Sequence, residues 1–265
     1  MTRSALAAAC FAVALLLARE SAAQAPRALE VRADTLLVNS ATRTVDARGH
    51  VRITDGRAVI LAARAIYQIR ERRVQLSGGI SMTSPDGTLR SRDAVVLLGA
   101  ANTLDRLDAQ GTVVVTSGAR TIHADRLTYA FSTTRVMATG RVQITTPAAV
   151  ATGRTLSADM RGRTGTLTGA RIRSKEGIVS GERLDITAGG NQAVFRGHVV
   201  AEFEHTKITS EIATVFEREK KAVFRGKVKI ARPGRVLLAD TVTFYYQENR
   251  MVAEGQTRIL IQESP

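Results

Sequence analysis

Apolar and polar residues alternate with a period of two through most of the chain. A period of two predicts half-buried β-strands. Polar, turn-forming stretches such as residues 39–42, 70–73 and 217–220 separate the alternating segments, as expected of hairpin turns. Residues 94–107 have the one pattern that a helix would also fit, and we interpret them as a strand with a long hairpin.

Glycines mark an internal repeat along the same segments. Aligned segments such as DARGHVRIT and VFRGKVKIA place these marker glycines at 49, 78, 111, 140, 169, 197, 226 and 255. The spacing is 29 in most units, one shorter from Gly169 to Gly197, and four longer from Gly78 to Gly111. We therefore predict eight units, each a hairpin with a return strand, and a bulge or tight bend at each marker glycine.

A small residue followed by an acid recurs at a fixed distance, fifteen positions before most marker glycines. The acids at this spacing are Asp34, Asp125, Glu182, Glu211 and Asp240. In the Gly111 unit the acid is Asp93, which lies 18 positions before the glycine instead of 15. This spacing indicates an insertion of three residues after the acid and of one more residue before it. Acids that recur once per unit stack in a row, whereas glycoside hydrolysis needs two carboxylates that converge on one bond. We therefore predict a structural role for them.

The pattern predicts an all-β fold, an elongated twisted β-jelly roll or solenoid built from eight repeats of about 29 residues. In such a stack each unit buries its apolar face against its neighbours, and the end strands leave open edges that invite pairing. Arg171 occupies an expected inward position in the Gly169 unit. It indicates either a shifted register or a boundary between two tandem halves, at about 24–150 and 151–265.

The first residues fit a targeting segment. Arg3 supplies the positive start, and Ala5 to Ala18 form an apolar run of 14 residues, too short to span a bilayer. Small residues at Ser21 and Ala23 favour cleavage before Gln24, so that residues 1–23 are a signal peptide and 24–265 the exported chain. An uncleaved N-terminal anchor is the alternative. Cleavage would remove the single cysteine, so stability must come from packing and strand pairing.

The exported chain would be strongly basic, with 36 Lys and Arg against 23 Asp and Glu and a net charge of +13. Such an excess suits an anionic partner. Aromatic residues make up 4% of the chain and Trp is absent, which argues against a base-stacking nucleic-acid site. Anionic lipid or glycolipid fits an exported protein better than nucleic acid. A charged surface that only keeps the protein soluble is the alternative.

The segments from Leu29 to Leu36 and from Asp46 to Ile53, and the downstream recurrence of their pattern, resemble one known family. It is the OstA-like superfamily of periplasmic lipopolysaccharide-transport proteins, with LptA-like and LptC-like members. The resemblance implies a jelly roll in the periplasm whose apolar groove holds acyl chains while the sugar portion stays outside. It also implies edge-to-edge partners, namely an inner-membrane LptC-like protein, an outer-membrane LptD-like protein, or further copies of the chain.

The resemblance also assigns candidate groove residues. The positions that match the family's groove are Leu29, Val31, Leu36, Met82, Leu97 and Tyr129. The period-two rule extends this set to Val38, Val51, Ile53, Val142 and Ile144. Basic residues near the strand ends, Arg52, Arg141 and Lys227, are candidates for contact with lipid phosphates.

Other functions receive less support from the residues. His50 and His198 each follow a marker glycine on the predicted solvent side and have no second ligand at metal-binding spacing. A phosphate-binding glycine loop and a nucleophile elbow are both absent from the sequence. We therefore predict no enzymatic activity, no metal and no cofactor. The leading prediction is lipopolysaccharide binding and transport between the membranes; a self-assembling structural β-solenoid and a polysaccharide-acting enzyme are the alternatives.

Overall fold

The computed structural model describes residues 29–100, 102–159, 164–175, 177–187, 191–248 and 250–261. The expected signal peptide, residues 1–23, lies outside this part. The described residues form β-strands joined by turns, and all their pairings are antiparallel, which confirms the all-β prediction. Within the stretch 94–107, residues 94–98 and 104–107 belong to strands and not to a helix. Across the described ranges no helix is long and apolar enough to cross a membrane.

The chain divides into two compact units after Val142. The N-terminal unit contains β1 (Glu30–Arg32), β2 (Thr35–Asn39), β3 (Thr44–Thr54), β4 (Val59–Gln68), β5 (Arg73–Ser77), β6 (Ile80–Ser84), β7 (Gly87–Ser91), β8 (Asp93–Leu98), β9 (Leu104–Ser117) and β10 (Arg120–Ala130). The division falls within β11 (Arg135–Thr145). The C-terminal unit contains β12 (Ala149–Asp159), β13 (Thr164–Ser174), β14 (Ile178–Thr187), β15 (Gln192–Phe203), β16 (Thr206–Phe216), β17 (Lys221–Arg232), β18 (Arg235–Tyr245), β19 (Arg250–Glu254) and β20 (Arg258–Ile261).

Successive strands pair with one another in both units. In the N-terminal unit, β1 and β2 both pair with β3, β3 pairs with β4, and β4 pairs with β5 and β6. Strand β9 in turn pairs with β7, β8 and β10. In the C-terminal unit the order runs without interruption from β12 to β18, and β19 and β20 both pair with β18. Short strands that share a partner, such as β5 and β6 on β4, are therefore the two halves of one bent strand.

The predicted bulges lie at the marker glycines. On the β3–β4 pair the register shifts between Arg48 and Val51, so that Gly49 and His50 together oppose one residue, Ala63. Both bulged residues have left-handed backbone, with φ of 72° at Gly49 and 43° at His50. The same shift occurs at the glycines of β15 and β17. A glycine in the left-handed region at the first bulge position is a standard arrangement, because a side chain would be strained there.

The recurring acids contact the marker glycines and the residues that follow them. A methyl group on Gly49 would lie 2.2 Å from the Asp34 carboxylate. That carboxylate bonds the next residue, His50, at 2.8 Å. Corresponding distances are 2.7 Å for Glu182–His198 and Asp125–Arg141, and 3.3 Å for Glu211–Lys227. The acids therefore pair with the bulge of the neighbouring strand, which agrees with the structural role predicted for them.

Three units depart from this arrangement. Gly78 faces Ala63 in place of an acid. Arg92, and not Asp93, faces Gly111, which corrects the alignment made from the sequence. In the Gly169 unit, two residues of β12 oppose two residues of β13 at the marker glycine, so neither strand has an extra, bulged residue. Ala170 and Ile172 are consequently buried and Arg171 is exposed. The irregularity at Arg171 is therefore a shift of register, and the missing bulge residue accounts for the shorter spacing from Gly169 to Gly197.

The insertion before Gly111 lengthens the start of β9. A left-handed turn residue lies six positions before the marker glycine in four other units, at Arg43, Arg72, Thr134 and Lys220. In the Gly111 unit the corresponding residue, Asn102, lies nine positions before the glycine. Three of the extra residues therefore fall at the beginning of β9, which has 14 residues where most full-length strands have 11 or 12. We call these three residues, 103–105, the inserted segment.

The interiors of the two units are filled differently. The residue two positions before a marker glycine is buried at seven of the eight glycines. It is Ala47, Leu76, Ala109 and Ala138 in the N-terminal unit and Leu167, Phe195 and Phe224 in the C-terminal unit. The eighth, Ala253 in the C-terminal unit, is half-buried. Phe224 packs edge-on against Phe244, with ring centroids 5.7 Å apart. Large rings therefore fill part of the C-terminal interior, at a position where the N-terminal unit mostly carries a methyl group.

Candidate functional site

A cavity of about 430 Å³ lies in the N-terminal unit, between its first five strands and the turn before β9. This volume falls within the range of pockets that hold small organic ligands. Nine of the ten lining residues are aliphatic or aromatic, and the tenth is an asparagine. They are Leu29, Val31, Leu36, Val45, Ala47, Ile53, Ala65, Tyr67, Val74 and Asn102.

Strand register brings the lining side chains to one face. Leu36 pairs across the strands with Ala47, and Ala47 pairs with Ala65. Val31 pairs with Ile53 beyond the bulge at Gly49. Ala47 and Ala65 carry only methyl groups, so space remains above them. The interior is therefore open at the repeat position that Phe195 and Phe224 fill in the other unit.

The cavity reaches solvent along β1 and β2. Leu36 is 50% exposed and Val31 39% exposed, although both line the cavity. Among the described strands, β1 and β2 pair with β3 alone, so their outer edge is open. An apolar ligand could enter there without breaking any strand pair within the described part of the unit.

Four of the eleven groove residues predicted from the sequence meet in the cavity wall, namely Leu29, Val31, Leu36 and Ile53. Val51 and Met82 are buried in the same unit but lie outside the wall. Val38 shares a face of β2 with Leu36, since it is two residues further on, and it is 69% exposed.

The remaining predicted residues lie elsewhere. Tyr129 stacks edge-on against Phe131 at 4.9 Å, Val142 is buried in the N-terminal unit, and Ile144 is buried in the C-terminal unit. Leu97 is half-buried and lies on the opposite face of β8 from its buried neighbours Val96 and Leu98. The structure therefore does not bring these four residues to the cavity.

Six wall residues were missed by sequence reasoning, namely Val45, Ala47, Ala65, Tyr67, Val74 and Asn102. Two of them, Val45 and Ala47, could have been predicted from the sequence. Alternation with period two continues from Val51 back through the bulge to these two residues. Ala65, Tyr67 and Val74 follow once the cross-strand partners are known. Asn102 is the turn residue directly before the inserted segment, and no periodicity predicts that it reaches the cavity.

A buried carboxylate lies next to the cavity. Asp55 is 0% exposed and follows the wall residue Ile53 by two positions. It accepts hydrogen bonds from the backbone N–H of Arg57 at 3.0 Å and from the Arg57 Nε at 2.9 Å. The N–H of Leu104 also points at Asp55, at 3.4 Å, while the Arg57 Nη2 donates to the Leu104 carbonyl at 3.0 Å. The β3–β4 turn is thereby joined to the start of β9.

Charge at this cluster is balanced within the protein. Burial alone would raise the pKa of the Asp55 carboxyl, but the hydrogen bonds from Arg57 outweigh burial and hold that pKa below its usual range. The Arg57 guanidinium also lies 6.0 Å from the centre of the Phe131 ring. Asp55 is therefore ionised at neutral pH and is fully committed to holding the two segments together.

Many exposed basic residues are neutralised by neighbours. On the outer face, hydrogen bonds from Arg64 and Arg48 hold the pKa of Asp46 well below its usual range. Arg141 and Lys227, which were candidates for phosphate contact, are paired with Asp125 and Glu211. Arg52 differs, because it forms no ion pair with any described residue, and it lies on β3 next to the wall residue Ile53.

Metal binding finds no support in the described ranges. They contain no group of three or more His, Cys, Asp or Glu side chains that could hold an ion. His50 and His198 instead bond a single carboxylate each.

The last strands of the C-terminal unit form a second open edge. Strands β19 and β20 both pair with β18, and within the described part of the unit they pair with no other strand. Their apolar side chains are exposed, with Met251 at 43%, Ile259 at 63% and Ile261 at 73%. Unpaired apolar edges of this kind favour pairing with another strand.

Comparisons with known proteins add little to these observations. No protein-family model matches the sequence, and no curated protein matches it. One similar solved structure is LptH from Pseudomonas aeruginosa, described as the LptA-homologous periplasmic component of the lipopolysaccharide transport device. The match has a TM-score of 0.40 and 11% identity and covers 43% of this chain and 95% of LptH.

Proposed function

We propose that the protein binds lipopolysaccharide or another anionic glycolipid in the periplasm and carries it between the two membranes. The cavity supports this proposal most directly, because its wall is apolar and its open side follows the free edge of β1 and β2. The predicted signal peptide and the sequence resemblance to the OstA-like superfamily supply the compartment and the class of cargo.

An acyl chain fits the chemistry of the wall. Among the described residues no charged side chain lines the cavity, and Asn102 is the one amide there. Moving a chain from water into such a site is favourable by roughly 0.8 kcal/mol for each buried methylene. Transfer into the cavity therefore needs no chemical reaction in this chain, and a partner would supply the energy for directed transport.

The polar part of the lipid would remain outside, next to basic residues. Arg52 pairs across the strands with Arg32, and both are exposed one position away from the wall pair Val31 and Ile53. Arg32 bonds Glu30, whereas Arg52 is free of ion pairs with the described residues. A phosphate on the sugar could therefore contact Arg52 while its acyl chain occupies the cavity.

The two open edges would serve as contacts with partners. Strands β1 and β2 in one unit and β19 and β20 in the other each leave one side unpaired in the part of the chain that the structure describes. Addition of a strand at such an edge forms main-chain hydrogen bonds with little demand on sequence. An LptC-like protein, an LptD-like protein or a second copy of this chain would bind there.

A self-assembling structural β-solenoid is the second candidate. The exposed apolar side chains of β20 favour it, because they suit end-to-end assembly as well as they suit a transport bridge. A purely structural polymer has no use for an apolar cavity that reaches solvent. Occupancy of the cavity by lipid therefore separates the two functions.

Single-cysteine variants test the proposal, since Cys10 is the only natural cysteine and precedes the predicted cleavage site. We expect an environment-sensitive dye on Val31→Cys to report an apolar environment, by a blue shift and higher intensity, when lipopolysaccharide is added to the exported chain. The reason is that an acyl chain in the cavity would surround the dye with hydrocarbon in place of water.

Leu61→Cys provides the matched control. Leu61 is 43% exposed, close to the 39% of Val31, but it lies on the face of β4 opposite the buried Ile60 and Ala62. The dye at position 61 should keep its spectrum when lipid is added. Equal shifts at both positions would indicate non-specific adsorption, and no shift at position 31 would contradict the proposed function.

A further inference from the structure

The inserted segment breaks the repeat at one place, and that place borders the cavity. Asn102, the turn residue directly before this segment, is part of the cavity wall. Other units connect their corresponding strands without these extra residues. An insertion that no repeat requires, positioned at the ligand cavity, indicates a role in the site and not in the fold.

The segment joins two ends of the unit that the strand ladder keeps apart. The β3–β4 turn with Asp55 lies at one end of β4, while the turn after β4, at Ile69–Arg72, neighbours β8 through a bond from the Leu98 N–H to the Arg72 carbonyl. Leu104 pairs with Leu98 and so belongs to that second end. Contact between Asp55 and Leu104 therefore requires the bent strands to fold back until both ends meet, which closes the interior beside the cavity.

We propose that Asp55 and Arg57 form a clasp that holds the inserted segment across this closure and restricts the cavity to one acyl chain. When the clasp is released, the interior opens and admits several acyl chains of the same lipid. This inference rests on the proposed function and adds to it the determinant of how many acyl chains of the lipid enter the site.

The size of the site and the bonding of the clasp support the inference. A cavity of about 430 Å³ lies near the lower end of the range for drug-sized ligands, so it suits a single chain and not a bundle of chains. The clasp is specific, because a fully buried Asp55 receives donors from both segments and Arg57 bonds both Asp55 and the Leu104 carbonyl. The backbone N–H of Phe131 bonds the Asp105 carbonyl at 2.8 Å and holds the far side of the segment.

Two variants release the clasp in different ways. Asp55→Asn removes the charge that holds Arg57, and deletion of residues 103–105 removes the segment while returning the unit to nearly the common repeat length. Other units fold without these residues, so the deletion tests the proposal even if Asp55→Asn fails to fold. Asp46→Asn is the matched control, because it removes an arginine-paired aspartate from the outer face of the same unit.

Two probes are measured with each folded variant, a fluorescent single-chain fatty acid and purified lipopolysaccharide as its competitor. We expect either release variant to bind lipopolysaccharide at least tenfold more tightly than the natural chain, with fatty-acid affinity changed less than threefold. Asp46→Asn should leave both affinities within twofold. Unchanged or weaker lipopolysaccharide binding in the release variants would overturn the clasp while fatty-acid binding upheld the cavity. A natural chain that binds neither probe would instead refute the proposed function.

Discussion

Replacing Ala47 by phenylalanine is expected to weaken acyl-chain binding by roughly tenfold or more, since tenfold corresponds to only about 1.4 kcal/mol. Ala47 lies in the middle of the cavity wall and is 2% exposed. A ring at this position would occupy the space that we assign to the acyl chain. Phe195 and Phe224 occupy the corresponding repeat position in the C-terminal unit, so the fold accommodates an aromatic side chain there. Binding of a fluorescent fatty acid measures the effect.

Leu37→Phe is the control for this substitution. Leu37 neighbours the wall residue Leu36 on β2 but points away from the cavity, opposite the outer-face Asp46. The variant should bind the fatty acid as the natural chain does, and circular dichroism should show strand content unchanged in both variants. Full binding by a folded Ala47→Phe variant would show that the ligand does not occupy this cavity.

Replacing Gly226 by alanine is expected to destabilise the protein by about 3 kcal/mol. Its φ of 80° lies in the left-handed region, which costs an L-residue roughly 1–2 kcal/mol. A methyl group there would also lie 2.6 Å from the Glu211 Oε2 and 2.9 Å from its Cβ, and the shift needed to avoid this contact adds roughly 1 kcal/mol or more. We expect a melting temperature lower by roughly 5–10 °C in a thermal unfolding scan.

Gly118 is the matched glycine for this measurement. It has φ of 57°, and a methyl group there would meet no atom within 4 Å. Gly118→Ala should therefore cost only the backbone strain, about 1 kcal/mol. Equal destabilisation by the two substitutions would mean that the contact between the marker glycine and its acid does not constrain the bulge.

Strand content and bulge positions were predictable from the sequence because both depend on local pattern. Alternation with period two specifies strands, and a glycine that recurs with constant spacing specifies where each strand bends. The acid that precedes five of the eight marker glycines at a fixed distance was also informative, since Glu211 and Gly226 meet across adjacent strands. The basic partner of the acid was harder to predict from the sequence, although a basic residue such as Lys227 follows the marker glycine in several units.

The cavity was only partly predictable because it depends on differences between units and not on the repeat itself. Period two identifies inward positions, but the size of the side chain at each position decides whether the interior is full, as at Phe224, or open, as at Ala47. Leu97 was placed on the inward face by resemblance, whereas the structure places Val96 there. Asp55 and Leu104 are joined by a hydrogen bond although they lie far apart in the sequence, and no local pattern relates them.

Photo-crosslinking in cells at Leu36 and Leu37 tests the central claim most directly. The two residues are neighbours on β2 and almost equally exposed, at 50% and 52%, but only Leu36 lines the cavity. With a photoreactive amino acid at each position in turn, we predict lipopolysaccharide attached at position 36 and little or none at position 37. Equal attachment at both positions, or attachment at neither, would contradict a lipid-carrying cavity in this protein.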